Sequence, residues 1–315
     1  MKTKTLLAAG ILALTATVHA DTFGSGGNTF SMSFVPIGNA GNANDTVTAV
    51  DGSGKFFGGV PYAYKMSVTD VSQAMLALAT ANGVPNLGGG AWTGNRPAAN
   101  VAWYQAAEFV NFLNTSTGHV AAYSLNYNIF NQQIGINLWS AGQAWTAGGL
   151  NQFRNKDAVY FLPSENEWYK AAYYTGTSYN QYATLNGLIP TGVASGTAPN
   201  TAVCDGVGSQ PAAVDQSGGL SPYGTQGQTG NVDQWMESNV SGTNDTPSGN
   251  RTIRGRVWNT TAVTLQSSTR AFNDPRVATT GIGFRVASVP EPSCMLMMAS
   301  AGVVVLSKRR RRPTL

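Results

Sequence analysis

The chain has 315 residues, of which 11% are charged and 42% are hydrophobic, and its formal net charge is +4. This length suits one large domain with a sizeable core. Of the 19 basic residues, two lie in the first 20 positions and five in the last 27, so 12 basic residues face 14 acids across residues 21–288. A slightly acidic domain excludes the basic surface of a nucleic-acid-binding protein.

The first 20 residues have the pattern of an export signal. Lys2 and Lys4 form a basic start, and the apolar run Leu6–Val18 follows. A small-x-small pattern then predicts cleavage between Ala20 and Asp21. The alternative for the apolar run is a short buried helix. We expect the mature domain to begin at Asp21 and to be exported.

Two stretches with apolar residues at spacings of three and four predict helices. The first covers residues 68–83 and ends at an Asn-Gly pair. Its predicted inward residues are Val71, Met75, Leu78 and Ala79. The second covers residues 100–118, with predicted inward residues Trp103, Ala106, Ala107, Val110 and Leu113.

A third helix is predicted where the sequence reads VYFLPSENEWYKAAYYTG. Ser164 and Glu167 have the spacing of a capping box, and Glu165 adds a carboxylate to the first turn. Both glutamates are thereby explained as capping residues, with catalytic acids as the alternative. The predicted inward residues are Trp168, Ala171 and Ala172.

The rest of the domain predicts short strands and long loops. Strand candidates cover residues 30–38, 159–163, 251–259, 268–273 and 281–289. Residues 176–229 have no clear periodicity, so we expect side chains or ions to organise them. Cys204 and Cys294 are the two cysteines. Because Cys294 lies in the tail, the mature domain can form no internal disulfide.

Several motifs occur in a fixed order along the chain. They are FVPIGNAGN, YKMSVTDVSQ, NVAWYQAAEFVNFLN, YFLPSENEWYKAA, GNVDQW, RTIRGRVWN and STRAFNDPRVATTGIGFRV. Together they resemble the formylglycine-generating-enzyme (sulfatase-modifying factor) family over about residues 30 to 288. The resemblance implies an α+β domain at 21–288 with an irregular C-type-lectin-related fold, in which small antiparallel sheets accompany a few helices.

The residues that carry the family's oxidase chemistry are missing. Formylglycine-generating enzymes bind copper through a cysteine pair that precedes the Gly-Phe-Arg motif, and Thr252–Ser288 contains no cysteine. The related sulfoxide synthases bind iron through three histidines, whereas His119 is the one histidine after the signal. We therefore expect no copper, no iron, no catalytic residue and no formylglycine-generating activity.

The resemblance implies calcium at two loops. In GNVDQW, Gly230 permits a tight turn and Trp235 anchors the core, while Gln234 replaces the family's glutamate. Calcium prefers six to eight oxygen ligands, often carboxylates, so this change weakens the site. The alternative is polar loop residues that are satisfied by backbone hydrogen bonds. The candidate ligands are Asn231, Val232 and Gln234 in one loop and Asn200, Thr201 and Asp205 in the other.

Two of the family's arginines, Arg254 and Arg285, persist in this chain, whereas Phe161 stands where the family usually has the arginine of Arg-Leu-Pro. Arg254 and Arg285 are predicted to pair with acids such as Glu167 inside the domain, with substrate clamps as the alternative. A cleft formed by Arg254, Trp258 and Arg270 would favour that alternative.

The C-terminus resembles the PEP-CTERM sorting signal of Gram-negative bacteria. Val-Pro-Glu-Pro-Ser includes Pro290, Glu291 and Pro292, and the apolar run Cys294–Leu306 and the basic cluster Lys308–Arg312 follow. The basic residues would stay cytoplasmic. The resemblance implies cleavage near these prolines by an exosortase-type protease-transpeptidase, after transient insertion in the inner membrane. A plain anchor that is never cut is the alternative.

These observations predict a surface-sorted protein that is anchored through its C-terminus and then moves to the cell surface or extracellular matrix. We expect a non-catalytic binding or structural role, with a polysaccharide or a surface protein as partner. The candidate sugar platforms are Trp92, Trp139, Trp145 and Tyr179. The alternative is an enzyme of unknown reaction that uses the family's pocket.

Overall fold

The computed structural model describes residues 18–289, which form short strands around three helices. The helices are α1 (Gln73–Ala81), α2 (Trp103–Ser116) and α3 (Glu165–Tyr173). The strands are β1 (His19–Phe23), β2 (Phe30–Ile37), β3 (Tyr64–Ser67), β4 (Ser124–Tyr127), β5 (Gln133–Asn137), β6 (Ala144–Trp145), β7 (Asn151–Asn155), β8 (Tyr160–Phe161), β9 (Thr191–Gly192), β10 (Thr201–Ala202), β11 (Asp233–Asn239), β12 (Arg251–Arg254), β13 (Ala271–Asn273), β14 (Ile282–Gly283) and β15 (Ala287–Ser288). This low content of regular structure and these small sheets confirm the predicted fold class.

All three predicted helices are present, and their ends follow the predicted local chemistry. Ser72 caps α1, and the chain leaves that helix through Asn82 and Gly83, whose φ is +93°. Every predicted inward residue of α2 is buried. In α1 the prediction is partly wrong, because Leu76 occupies the inner face while Met75 and Leu78 are only partly buried.

The first turn of α3 contains the predicted capping box. The Glu167 N–H donates to Ser164 Oγ over 3.3 Å, and the Ser164 N–H donates to Glu167 Oε2 over 2.6 Å. The burial of α3 goes further than the predicted face, since Lys170 is also fully buried. A helix surrounded by protein in this way brings its polar side chains into the interior.

Two of the sheets have more than two strands, and the larger one contains both the first and the last described strand. The five-stranded sheet has the order β1-β2-β3-β15-β8 and is antiparallel throughout. It places the last described strand between two much earlier ones. The four-stranded sheet has the order β13-β12-β11-β14, in which β11 pairs with β14 in parallel. Indole hydrogen bonds join α2 to this sheet, since Trp103 donates to the Met236 carbonyl over 2.8 Å.

The expectation of a loop at GNVDQW is wrong in part. Asp233 begins β11, a fully buried strand in the middle of the four-stranded sheet. Gly230 precedes it with φ of +78°, and a Cβ there would collide with the Val203 carbonyl. Trp235 is fully buried, as predicted. Hydrogen bonding to β12 makes this segment a strand. The sequence does not reveal it, since apolar and polar residues do not alternate there.

The strand predictions are otherwise right in place and too long in extent. The predicted strand at 281–289 is divided into β14 and β15, which belong to different sheets. Residues 176–229 form loops with two very short strands and one 3-10 turn, Val214–Gln216. Side chains tie these loops to α3, since Ser221 Oγ donates to the Ala171 carbonyl and Gln228 Nε2 to the Trp168 carbonyl, both over 3.0 Å.

The processing sites lie at the two limits of the described chain. Ala20 and Asp21 belong to β1, where they pair with Ser33 and Met32 of β2. Pro290, Glu291 and Pro292 lie outside the described residues. Within residues 18–289, no helix has the length and hydropathy needed to cross a membrane.

Candidate functional site

The first turn of α3 lies beside a buried cluster of one arginine and two glutamates, which we call the acid-rich cluster (Arg154, Glu167 and Glu237). Arg154 extends from β7 and donates to both Glu167 oxygens over 2.9 and 3.0 Å. It also donates to both Glu237 oxygens over 2.7 and 2.9 Å. All three side chains are at most 1% exposed. Two carboxylates therefore share one guanidinium away from water.

Neutral donors complete the acid-rich cluster. Tyr62 donates to Glu167 over 2.6 Å, and Tyr123 donates to Glu237 over 2.9 Å. Burial raises the pKa of Glu237 above its ordinary value despite Arg154. Burial acts the same way on Glu167, but the charge and hydrogen bonds of Arg154 outweigh it and lower the pKa of that carboxyl. The two carboxylates thus share one guanidinium, and the charged form of Glu167 is stabilised more than that of Glu237.

A second cluster on the other side of α3 has the opposite composition, and we call it the arginine-rich cluster (Glu165, Arg254 and Arg270). Glu165 accepts from Arg254 Nε over 2.8 Å and from Arg270 Nε and Nη2 over 2.9 and 2.8 Å. Arg270 also donates to Asp51 over 2.6 Å. The predicted internal pairing of Arg254 is therefore right, but its partner is Glu165 and not Glu167.

Arg285 is the centre of a third buried polar cluster, which includes Asp70 and Gln234. It donates to Asp70 over 3.1 Å, to Gln234 Oε1 over 2.6 Å and to the Ser67 carbonyl over 3.0 Å. Burial raises the pKa of Asp70 to about 7 in spite of this arginine. Arg285 is thus an internal structural residue with a partner other than Glu167.

Arg254, Trp258 and Arg270 do not line a common cleft, so the alternative of a substrate clamp gains no support. Both arginines lie under Phe57, with guanidinium-to-ring distances of 4.8 and 5.2 Å. Trp258 packs edge-on against Trp92 at a ring distance of 5.5 Å. The arginines of the family motifs form hydrogen bonds inside the domain in this fold.

The residues at the GNVDQW segment do not fit a calcium shell. Gln234 Oε1 already accepts from the Arg285 guanidinium and, over 2.5 Å, from Trp168 Nε1. Asn231 Oδ1 accepts the Ala212 N–H over 2.9 Å, and Val232 is buried before β11. Gln234 stands where the family has a glutamate, and the positive charge of the Arg285 guanidinium beside it would repel a calcium ion at this position.

The second candidate loop has a different arrangement. Asn200 and Asp205 have φ of +58° and +59°. Their side-chain oxygens accept backbone N–H groups of Asn186 over 3.0 Å and Ala262 over 2.8 Å. Thr201 opens β10 between them. These bonds close loops, and calcium at this loop stays a prediction.

Cys204 is the one cysteine of the described residues, and it is buried. Its thiol lies 3.6 Å from Asp205 Oδ2, and burial together with that carboxylate raises its pKa to about 12. A thiol held in its protonated form is a poor nucleophile and a poor metal ligand. Across residues 18–289, no group of three or more His, Cys, Asp or Glu side chains could hold a metal ion.

A cleft of about 320 Å³ opens next to the acid-rich cluster, and we call it the α3 cleft. Tyr62 and Trp145 form an aromatic wall, with their rings edge-on at 5.2 Å. The Arg154 guanidinium lies 5.5 Å from the Trp145 ring. Trp145 Nε1 is buried and donates to no acceptor in the described part of the chain. The polar lining residues include Asn151, Asn166, Asn244 and Asp245.

Of the predicted sugar platforms, Trp145 is the one that lines this cleft. Trp139 donates its indole N–H to the Ala122 carbonyl over 2.9 Å, and Tyr179 packs on Tyr174 at 4.8 Å. Trp92 packs on Trp258, as described above. Sequence reasoning missed Tyr62, Arg154 and Glu237, because no local pattern links residues so far apart along the chain.

The fold and its site residues can be set beside known proteins. The family model described as "Sulfatase-modifying factor enzyme 1-like domain" matches residues 63–289. No curated protein matches the sequence. Treponema denticola variable protein 1 is 23% identical with a TM-score of 0.57, over 86% of this chain and 99% of that one. CarF is 18% identical over 87% and 99% of the two chains, with a TM-score of 0.53. PvdO from Pseudomonas aeruginosa is 17% identical over 86% and 98%, also with a TM-score of 0.53. At these identities the structures share the fold alone.

Proposed function

Because the chain belongs to the family of sulfatase-modifying factor enzyme 1-like domains, whose scaffold leaves function to its site residues, we propose that it is a non-catalytic protein that binds a saccharide in the α3 cleft. One observation carries the proposal: the partly exposed Tyr62–Trp145 wall stands beside amide and carboxylate side chains in a cleft of about 320 Å³.

The chemistry of the lining residues matches that of a sugar. A sugar ring has an apolar C–H face, which packs on an aromatic side chain, and an edge of hydroxyl groups. Asn166 keeps its Nδ2 as a donor and Asp245 is an exposed acceptor for those hydroxyls, while the amide of Asn151 is already engaged by Glu237 and the Phe153 N–H. Small-ligand sites combine such apolar walls with a few convergent polar groups.

The two buried acids next to the cleft, Glu167 and Glu237, are unsuited to proton transfer. A general acid or base must come within hydrogen-bond distance of its substrate. Glu167 and Glu237 are completely buried, and Arg154 occupies all four of their oxygens. The copper route of the family also lacks its ligands, since Thr252–Ser288 contains no cysteine. Both facts favour binding over turnover.

Export and surface sorting belong to the same proposal. They are supported by the signal pattern before Asp21 and by the Pro-Glu-Pro motif with its apolar run and arginine tip. A polysaccharide of the cell surface or extracellular matrix is the kind of partner that an exported binding domain would meet. An exosortase-type protease is the proposed processing partner.

Glycan-array binding followed by calorimetry tests the function. We expect wild-type protein to bind a saccharide and Trp145→Ala to weaken that binding by about tenfold or more. Phe130→Ala is the matched control, because Phe130 is an exposed aromatic residue on the β4–β5 turn, away from the cleft. Equal binding by wild type and Trp145→Ala would refute the site. Copper-dependent oxidation of a cysteine-containing sulfatase peptide would instead establish the alternative, an enzyme.

A further inference from the structure

We infer that the ligand of the α3 cleft is a linear, non-acidic oligosaccharide that continues into an adjoining cleft and contacts Phe56. This inference rests on the proposed function and specifies its ligand class. It is carried by the continuity of the two clefts, by a second exposed aromatic residue, and by the balance of charges along their walls.

The two clefts adjoin at the start of α3, and we treat them as one groove because they share part of their lining. The adjoining cleft also measures about 320 Å³, and its far end is lined by Lys55 and Phe56. It shares four lining residues with the α3 cleft, namely Asn166, Ser238, Gly242 and Thr243. Each cleft is at the small end of the range for small-molecule sites, roughly 300 to 1,000 Å³. A groove made of two such clefts suits a ligand made of repeated units.

Neighbouring phenylalanines at the far end have different environments. Phe57 is 8% exposed and packs over the arginine-rich cluster. Phe56 is 47% exposed and lines the adjoining cleft. The packing of Phe57 holds the backbone of this segment in place and leaves the Phe56 ring at the groove. The groove thus has an aromatic contact at each end, with Trp145 and Phe56 separated by polar residues.

The polar middle of the groove retains hydrogen-bonding capacity. Asn166 Oδ1 accepts the Gly58 N–H over 3.0 Å, which leaves its Nδ2 as a donor. Ser238 Oγ accepts the Glu165 N–H over 2.9 Å, which leaves its hydroxyl hydrogen free to donate. Fixed acceptor atoms hold these side chains in one orientation, and their remaining donors suit hydroxyl groups of a sugar chain.

The charges along the groove oppose an acidic ligand. Lys55 Nζ is engaged by the Val240 and Ser241 carbonyls over 3.1 and 2.5 Å. Glu165 is neutralised by its two arginines, and Arg154 by its two glutamates. Asp245 is exposed and has no basic partner in the described chain. Asp245 is thus the exposed lining charge without a cationic partner, and it disfavours carboxylate or sulfate groups beside it.

Calorimetry with oligosaccharides of one to six units tests the inference. The neutral probes are cello-, malto-, xylo-, manno- and N-acetylchito-oligosaccharides, and the acidic probes are alginate and polygalacturonate oligomers. We expect affinity for a neutral series to rise by about tenfold between two and six units. In Phe56→Ala that rise should disappear while short chains bind as in wild type, and Phe130→Ala should behave as wild type throughout.

Three results would overturn the inference while leaving the proposed function intact. They are affinity that does not depend on chain length, wild-type behaviour of Phe56→Ala, and acidic oligomers that bind as tightly as neutral ones of equal length. Absence of binding to every saccharide would instead refute the proposed function, and the inference with it. Melting curves of both variants report whether they are folded, which separates lost contacts from lost structure.

Discussion

The acid-rich and arginine-rich clusters flank the same helical turn with opposite stoichiometry. On the side of the α3 cleft, Arg154 alone serves Glu167 and Glu237. On the other side, Glu165 is served by both Arg254 and Arg270, and Arg270 also contacts the partly exposed Asp51. The comparison indicates that the loss of stability on removing a buried arginine depends on how many buried acids then lack a cationic partner. Arg154 has no substitute, whereas Arg254 has one.

This difference predicts unequal losses of stability. Arg154→Ala leaves two buried carboxylates without a cation, so we expect the free energy of unfolding to fall by about 5 kcal/mol. In Arg254→Ala, Glu165 keeps its bidentate contact with Arg270, and we expect a loss of about 2 kcal/mol. Urea unfolding measured by tryptophan fluorescence gives both values.

Two further variants make that test decisive even if Arg154→Ala does not fold. Arg154→Lys keeps the charge but loses the bidentate geometry, so its stability should lie between wild type and Arg154→Ala. Arg270→Ala leaves Glu165 with Arg254 but also deprives Asp51 of its arginine, so we expect a loss between those of Arg254→Ala and Arg154→Ala. Equal losses for Arg154→Ala and Arg254→Ala would show that the number of stranded acids does not govern stability here.

The Asp70–Arg285 pair extends the comparison to pH. Because burial raises the pKa of Asp70 to about 7, the folded protein holds a proton between pH 4 and 7 that the unfolded chain has released. Stability from this group is complete below pH 4 and is lost as pH rises through 7, by about 4 kcal/mol in total. In Asp70→Asn this part of the pH dependence should vanish, which denaturant unfolding at pH 4 and pH 8 measures.

Asp51 provides a control with the opposite sign. Burial pushes the pKa of Asp51 up, but hydrogen bonds from Ser53 and the contact with Arg270 outweigh it and bring the pKa to about 2. Its contribution is therefore present above pH 4 and is lost on acidification toward pH 2. Asp51→Asn should change only the acid limb. If the free energy of unfolding depended on pH in the same way in wild type and Asp70→Asn, the raised pKa of Asp70 would be contradicted.

The smallest predicted effect is at the start of α3, between the two clusters. Ser164→Ala removes the acceptor for the Glu167 N–H, so we expect a loss of about 1 kcal/mol in the free energy of unfolding. Ser116→Ala, at an exposed position in the last turn of α2, should change it by less than about 0.5 kcal/mol. If the two serine variants were equally stable, the capping box would contribute little to holding the acids of α3 in place.

The sequence predicted those features whose causes are local. Ser164 and Glu167 are three residues apart, so their capping box could be recognised without a tertiary structure. The inward face of α2 follows from apolar spacing alone. The strand β11 was missed because it is buried on both faces and its residues do not alternate. Trp145 was one of four candidate platforms, and nothing along the chain distinguished it from the others.

By itself, the sequence determined the capped helices, the family scaffold and the loss of the copper-binding cysteine pair, since each depends on residue identity or on short spacing. The tertiary structure decided which acid each arginine meets. Glu165 and Glu167 are two positions apart on a helix, about 200° around its axis, so they face different sides of α3. Their partners come from distant segments: Arg154 lies 83 residues before Glu237, and Tyr62 lies 105 residues before Glu167. Such contacts are set by the packing of the whole domain, which is why the α3 cleft has no signature in the chain.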